Sequence, residues 1–149
     1  MKPTLMLLIC ALAASLFAQQ PANEEGRASF HAVDIFVDSK GTPLAAYQVV
    51  ISFTNANVKI VGIEGGEHPA FHEPPVYDPK AIQHERVIIA AFNTGPESTL
   101  PTGRTRVATI HVQTTGDKSL HCTLKVQTAA KSDGTKIAIE AISEERKTE

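Results

Sequence analysis

Apolar residues recur at every second position through seven runs of this chain, and a period of two commits it to β-strands that bury one face. His31, Val33, Ile35 and Val37 share one side of the first run, and Tyr47, Val49, Ile51 and Phe53 share one side of the second. The pattern continues through Val58 to Glu64, Arg86 to Phe92, Arg106 to Thr114, Leu120 to Thr128 and Lys136 to Ile142. Turn-forming residues separate the runs: Ser39-Lys40-Gly41, Thr54-Asn55-Ala56-Asn57, Gly65-Gly66, Thr94-Gly95-Pro96, Thr115-Gly116-Asp117 and Ser132-Asp133-Gly134. No segment sustains helical spacing. A short helix is allowed only across residues 78–85, where Pro79 follows a capping Asp78. Short strands with one apolar face bury it by packing two sheets or by closing a barrel. One-faced strands joined by connections of uneven length favour an all-β, two-sheet sandwich.

The ends of the chain fix its compartment. Lys2 followed by the apolar or small stretch Leu5 to Ala18 has the form of a signal peptide, with cleavage expected after Ala18. That stretch is too short to cross a bilayer core, which takes about twenty apolar residues. No transmembrane segment is expected after its removal. Ile9 stands where a small residue should precede a lipid-bearing Cys10, against a lipoprotein reading. Residues 19–28 read as a linker, 29–142 as one domain, and 143–149 (SEERKTE) as a frayed polar tail. Losing Lys2 takes the net charge from −2 to −3, and with no basic stripe a nucleic-acid partner is not expected. Cys122 is the one cysteine left, so the core holds without an internal disulfide; its alternation with Leu120, Leu124 and Val126 marks it as a small buried hydrophobe.

Three stretches together resemble the cohesin domain family. They are Leu44 to Ile51, with a small residue, an aromatic and a polar residue opening a strand; Val58 to Gly66, a short strand ending in a glycine turn; and Thr105 to Val112 coupled to Asp133-Gly134-Thr135-Lys136-Ile137, a late strand with an aspartate-glycine hairpin into the last. Order and spacing agree across residues 29–142. The resemblance implies a jelly-roll sandwich of about nine strands, where the alternation alone gives seven. It also implies a role in docking, since cohesins bind dockerins, small calcium-dependent helical modules carried by partner enzymes that often degrade polysaccharides. Cohesins are similar in structure to certain carbohydrate-binding modules as well. The chain shows one such domain without repeats, and its long connection from Glu67 to Glu85 is distinctive.

Catalytic and metal constellations do not assemble in the sequence. His68 and His72, flanked by Glu67 and Glu73, have the spacing of helical zinc ligands, but Pro69 and Pro74-Pro75 break any helix there. The segment reads instead as a stiff surface loop with Phe71 packed on the sandwich. His84, His111 and His121 are scattered, and no GxSxG turn is present. Glu24-Glu25 and Glu144-Glu145 fall in ends expected to be flexible. Asp34, Asp38, Asp117 and Asp133 lack a ligand-dense loop and suit capping and turn roles. No enzyme activity, cofactor or metal is expected.

In cohesins the docking surface is the exposed face of one sheet, and matching positions assign Gln48 and Ser52 on one strand and Arg86, Asn93 and Thr94 on another to partner binding. Val50, Ile88 and Ala90 share that outward phase. An apolar outer face calls for a partner or for a covering loop, and Glu67 to Glu85 is the local candidate for the latter. Stacking on sugar rings needs flat exposed aromatics, and the chain has no Trp, with Tyr47 placed in the core and Tyr77 in a loop. The expected function is therefore an exported, non-catalytic module that docks a dockerin-like or other envelope protein. A carbohydrate-binding module acting on polysaccharide and a self-associating structural protein are the alternatives.

Overall fold

The structure, a computed structural model, describes residues 26–54, 57–116 and 119–146. The signal-peptide reading of residues 1–18 lies outside them. Seven strands form: β1 (Ala28–Asp38), β2 (Ala46–Thr54), β3 (Asn57–Gly65), β4 (Arg86–Phe92), β5 (Arg104–Thr115), β6 (His121–Ala130) and β7 (Glu140–Glu145). They build two antiparallel sheets, ordered β3-β5-β1-β7 and β4-β2-β6. Odd-numbered strands occupy the first sheet and even-numbered strands the second, so each connection crosses the sandwich and no two consecutive strands pair. The two-sheet architecture and the count of seven agree with the alternation. The remaining regular pieces are single 3-10 turns at Pro69–Phe71, Pro79–Ala81 and Glu97–Thr99, the second being the short helix allowed over 78–85.

The core fills the space between the sheets with the inward set of each alternating run. Val33, Ile35 and Val37 of β1 face Tyr47, Val49, Ile51 and Phe53 of β2, joined by Ile60, Val87, Ile89, Val107, Ile110 and Val112. Burying such side chains contributes about 1.5–3 kcal/mol each. One extra residue in β5 bulges the β1–β5 ladder at Ile35/Phe36, which lets both Val107 and Ala108 reach the interior. Cys122, Leu124 and Val126 pack on the core edge as their spacing predicts, and burial pushes the Cys122 thiol up in pKa.

Two segments close the open sides of the sandwich. The 67–85 connection is anchored by Phe71, buried edge-to-face on Tyr47 with ring centroids 5.2 Å apart. Its backbone then joins both edges, Val76 pairing with Ala90 of β4 and Gln83 and His84 with Ile60 of β3. Gly65 permits this path, because a Cβ there would lie 1.8 Å from the carbonyl oxygen of His72. On the opposite side, Lys136 and Ile137 pair with β6 through Ala130 and Ala129, closing the Ser132-Asp133-Gly134 turn. The chain then crosses to the other sheet. The last strand is therefore not one run from Lys136 to Ile142 but a short bridge to β6 followed by β7 on β1.

Pairing also continues beyond the point where the polar end was expected to fray: Ser143, Glu144 and Glu145 lie opposite Ile35, Asp34 and Val33. At the other end Ala28 already pairs with Thr115. Asp38 and Asp133 accept backbone N–H groups of Lys40 and Thr135, the turn roles expected of them. Asp34 instead enters a side-chain network in mid-strand, and Asp117 lies outside the described residues.

Candidate docking face

The outward residues of β4-β2-β6 form a surface with β2 at its centre. Register places Gln48 between Ala90 and Thr128, Val50 between Ile88 and Lys125, and Ser52 between Arg86 and Thr123. Three of the five residues assigned from sequence, Gln48, Ser52 and Arg86, thus come together on one face. The other two sit beyond the end of β4. Asn93 is spent on holding the loops: its Nδ2 donates to the carbonyl of Ala70 at 3.1 Å and its Oδ1 accepts the Gly95 N–H at 2.7 Å. Thr94 is exposed next to it.

The middle of this face is apolar. Val50 is covered by its neighbours at 7% exposure, while Ile88 is 38% exposed, Val76 71% and Phe92 75%. The 67–85 connection meets this sheet along β4, through the Val76–Ala90 bridge and a cleft that Asp78, Lys80 and Ala81 form with Arg86 and Ile88, and touches β2 where the Glu85 carbonyl accepts the Phe53 N–H. Between that connection and β4 lies a groove of about 320 Å³, floored by Ala90 and Ala91 and walled by Pro75, Val76, Phe71 and Phe92. Phe92 continues the outward phase of Ile88 and Ala90 and was legible from it. Lys125 and Thr123 were not, because only the pairing of β6 with β2 brings them to this surface.

The outer face of the other sheet carries a lattice of paired charges, with Phe30 69% exposed near the start of β1. Asp34 accepts the Thr109 hydroxyl at 2.6 Å and Arg146 Nε at 2.8 Å, and Arg106 also donates to Thr109. Burial raises the Asp34 pKa, but hydrogen bonds from Arg146 and Thr109 and the charges of Arg146 and Arg106 outweigh it and hold the carboxyl below its ordinary value. Arg104 bonds Glu144 at 2.6 Å while lying over the Phe36 ring, and Lys40 bonds Glu140 at 2.7 Å. His111 Nε2 lies 2.9 Å from Glu64 Oε1, out of hydrogen-bond alignment. A partner on this face would have to desolvate or displace these pairs.

The histidines of the long connection do not converge. His68 Nδ1 accepts the Ala70 N–H at 3.1 Å, capping the 3-10 turn, and His72 Nδ1 donates to the carbonyl of Pro69 at 2.9 Å. Among the described residues no three His, Cys, Asp or Glu side chains gather as a metal-binding group. Burial pushes the Tyr47 phenol far up in pKa, and its hydroxyl donates to the carbonyl of Val107.

No family model matches the chain. No curated protein matches it either. Among solved structures it is similar to a chain of a type I cohesin–dockerin complex from Clostridium thermocellum, with a TM-score of 0.53 and 15% identity over 77% of this chain and 84% of that one. At that identity the likeness shows the fold, a cohesin-like β-sandwich.

Proposed function

We propose that this protein is an exported, non-catalytic module that docks a partner protein of dockerin type through the outer face of β4-β2-β6. The observation that carries the reading is the contrast between the two outer faces: one is laced with intramolecular ion pairs and exposes a large apolar side chain only at the start of β1, Phe30, while the other leaves Ile88, Phe92 and Val76 in solvent. Covering a side chain of that kind contributes about 1.5–3 kcal/mol, a gain that a partner on the apolar face would collect without breaking an existing pair. The cohesin-like fold supports the partner class, and the signal-peptide pattern of residues 1–18 supports an extracytoplasmic setting. Gln48, Ser52 and Arg86 then act as polar contacts around the apolar centre, and Asn93 as the clamp that holds the loop beside it.

Calorimetric titration with purified dockerin modules, in calcium and after chelation, tests this. Binding is expected in calcium and is expected to fall about thirtyfold or more when the aromatic anchor is changed by Phe92→Asp. Gln48→Glu and Arg86→Glu should weaken it further, while Lys59→Glu on the opposite sheet leaves it unchanged. Retention on polysaccharide with no dockerin binding would overturn the reading in favour of a carbohydrate-binding module.

A further inference from the structure

Charge is sorted between the two sheets. Every Asp or Glu found in a strand belongs to β1, β3 or β7 of the four-stranded sheet, whereas β2, β4 and β6 contain no carboxylate and two cations, Arg86 and Lys125. Both are exposed, and neither takes part in a salt bridge among the described residues. Carboxylates border the face without standing on its strands: Asp78 lies in the cleft beside Arg86, where it accepts the backbone N–H of Lys80 and Lys80 adds a second cation, Glu85 precedes Arg86, and Glu73 lines the groove beside Val76 and Phe92. In a chain of net charge −2, the strands of this face thus carry cations and no carboxylate around an apolar centre.

We infer that the docking face selects a helical protein segment that is apolar along one stripe and flanked by carboxylates, an apolar side chain seating in the groove between Val76 and Phe92 and the carboxylates meeting Arg86 and Lys125. This rests on the docking reading above and specifies the partner's chemistry. The dimensions agree with a helix. From Arg86 to Phe92 the face extends about 20 Å, the length of a helix of about thirteen residues. Arg86 and Lys125 stand on the two flanking strands, two residues out of level and about 12 Å apart across β2, one on each side of the apolar centre. Strand addition at the β4 edge is blocked, because Pro74 and Pro75 precede the one residue that pairs there, Val76. An acidic polysaccharide would satisfy the cations but leave the aliphatic centre and the groove without a counterpart.

Two synthetic peptides test the inference, each of about fourteen residues with the same Leu/Phe stripe, one flanked by Glu and the other by Lys. They are titrated into the 15N-labelled protein while amide shifts are followed. The Glu-flanked peptide is expected to shift amides of β2, β4 and β6 and to bind about fivefold or more tightly than its Lys-flanked counterpart, with the preference shrinking as salt rises. Arg86→Glu combined with Lys125→Glu, checked for native amide dispersion, should reverse the order. Equal shifts of those strands by both peptides would overturn the charge selection and leave the docking face standing. Failure of both to perturb the face would overturn the two readings together. Polygalacturonate shifting the same amides while neither peptide does would assign the cations to a carbohydrate, and concentration-dependent shifts without peptide would assign the face to a second copy of the chain; either result overturns the inference.

Discussion

Asp34 sits with its side chain 14% exposed in the middle of a strand, a place where a carboxylate persists only if its oxygens are occupied. The Thr109 hydroxyl and the Arg146 guanidinium occupy them, and Arg106 stands behind Thr109. Since the carboxyl is held below its ordinary pKa, it contributes stability that is fully present above the unfolded value and is lost as pH falls through the folded one. Asp34→Asn is expected to cost about 1–2 kcal/mol at neutral pH in denaturant unfolding. The difference from the parent should narrow below about pH 4, where the unfolded parent takes up the proton first, and close once the folded parent takes it up at lower pH. A gap that stays constant down to acid pH would show that the Asp34 charge plays no part. The sequence gives no hint of this network beyond an aspartate in outward phase, because its partners lie 75 and 112 positions away. Phe92 is a different case: the same alternation that sends Ile88 and Ala90 outward sends it outward too, so that part of the candidate site was readable residue by residue.

Elements built from a strong period emerge where the period places them, and the exceptions are those whose pairing is set by a remote strand. β1, β2 and β4 match their apolar runs to within a few residues. The segment from Lys136 onward does not, because its apolar residues Ile137 and Ile139 pack on the core without joining β7, and of the pairing residues that follow only Ala141 and Ile142 are apolar. Ser143 to Glu145 have no apolar period to advertise a strand. They are held instead by the β1 ladder and by side-chain bonds across it: Glu144 to Arg104, Glu145 to His31, and Arg146 to Asp34. Ending the chain after Ile142 should therefore remove half of β7 and expose the edge of β1. Loss of stability of about 2–3 kcal/mol is expected in denaturant unfolding, with amide exchange accelerated from Val33 to Ile35 before the rest of β1. Unchanged exchange there would mean that these residues are only loosely laid on the sheet.

The molecule as a whole is two sheets between which the chain alternates at every connection, so each strand pair joins segments that are distant in sequence. The sequence specifies strands, turns and inward faces, but which strand neighbours which depends on closing all the crossings at once, and no local period encodes that. The charge sorting between the sheets becomes visible only after that step. The same topology constrains folding. A hairpin-based sheet can nucleate locally, whereas here the β1–β5 and β2–β6 ladders require long loops to close before any pairing rewards them. The peptide bonds of the described residues are all trans, and Cys122 is a free thiol that makes no cross-link to shorten those loops. Refolding from denaturant is expected in milliseconds to seconds, the range of two-state sandwiches dominated by remote contacts. Its rate and amplitude should be the same with and without reductant, as followed by stopped-flow detection of Tyr47 entering the core. Microsecond refolding would mean that a local nucleus exists that the crossing topology does not provide, and a dependence on reductant would mean that the Cys122 thiol is reached by chemistry its packed position is expected to prevent.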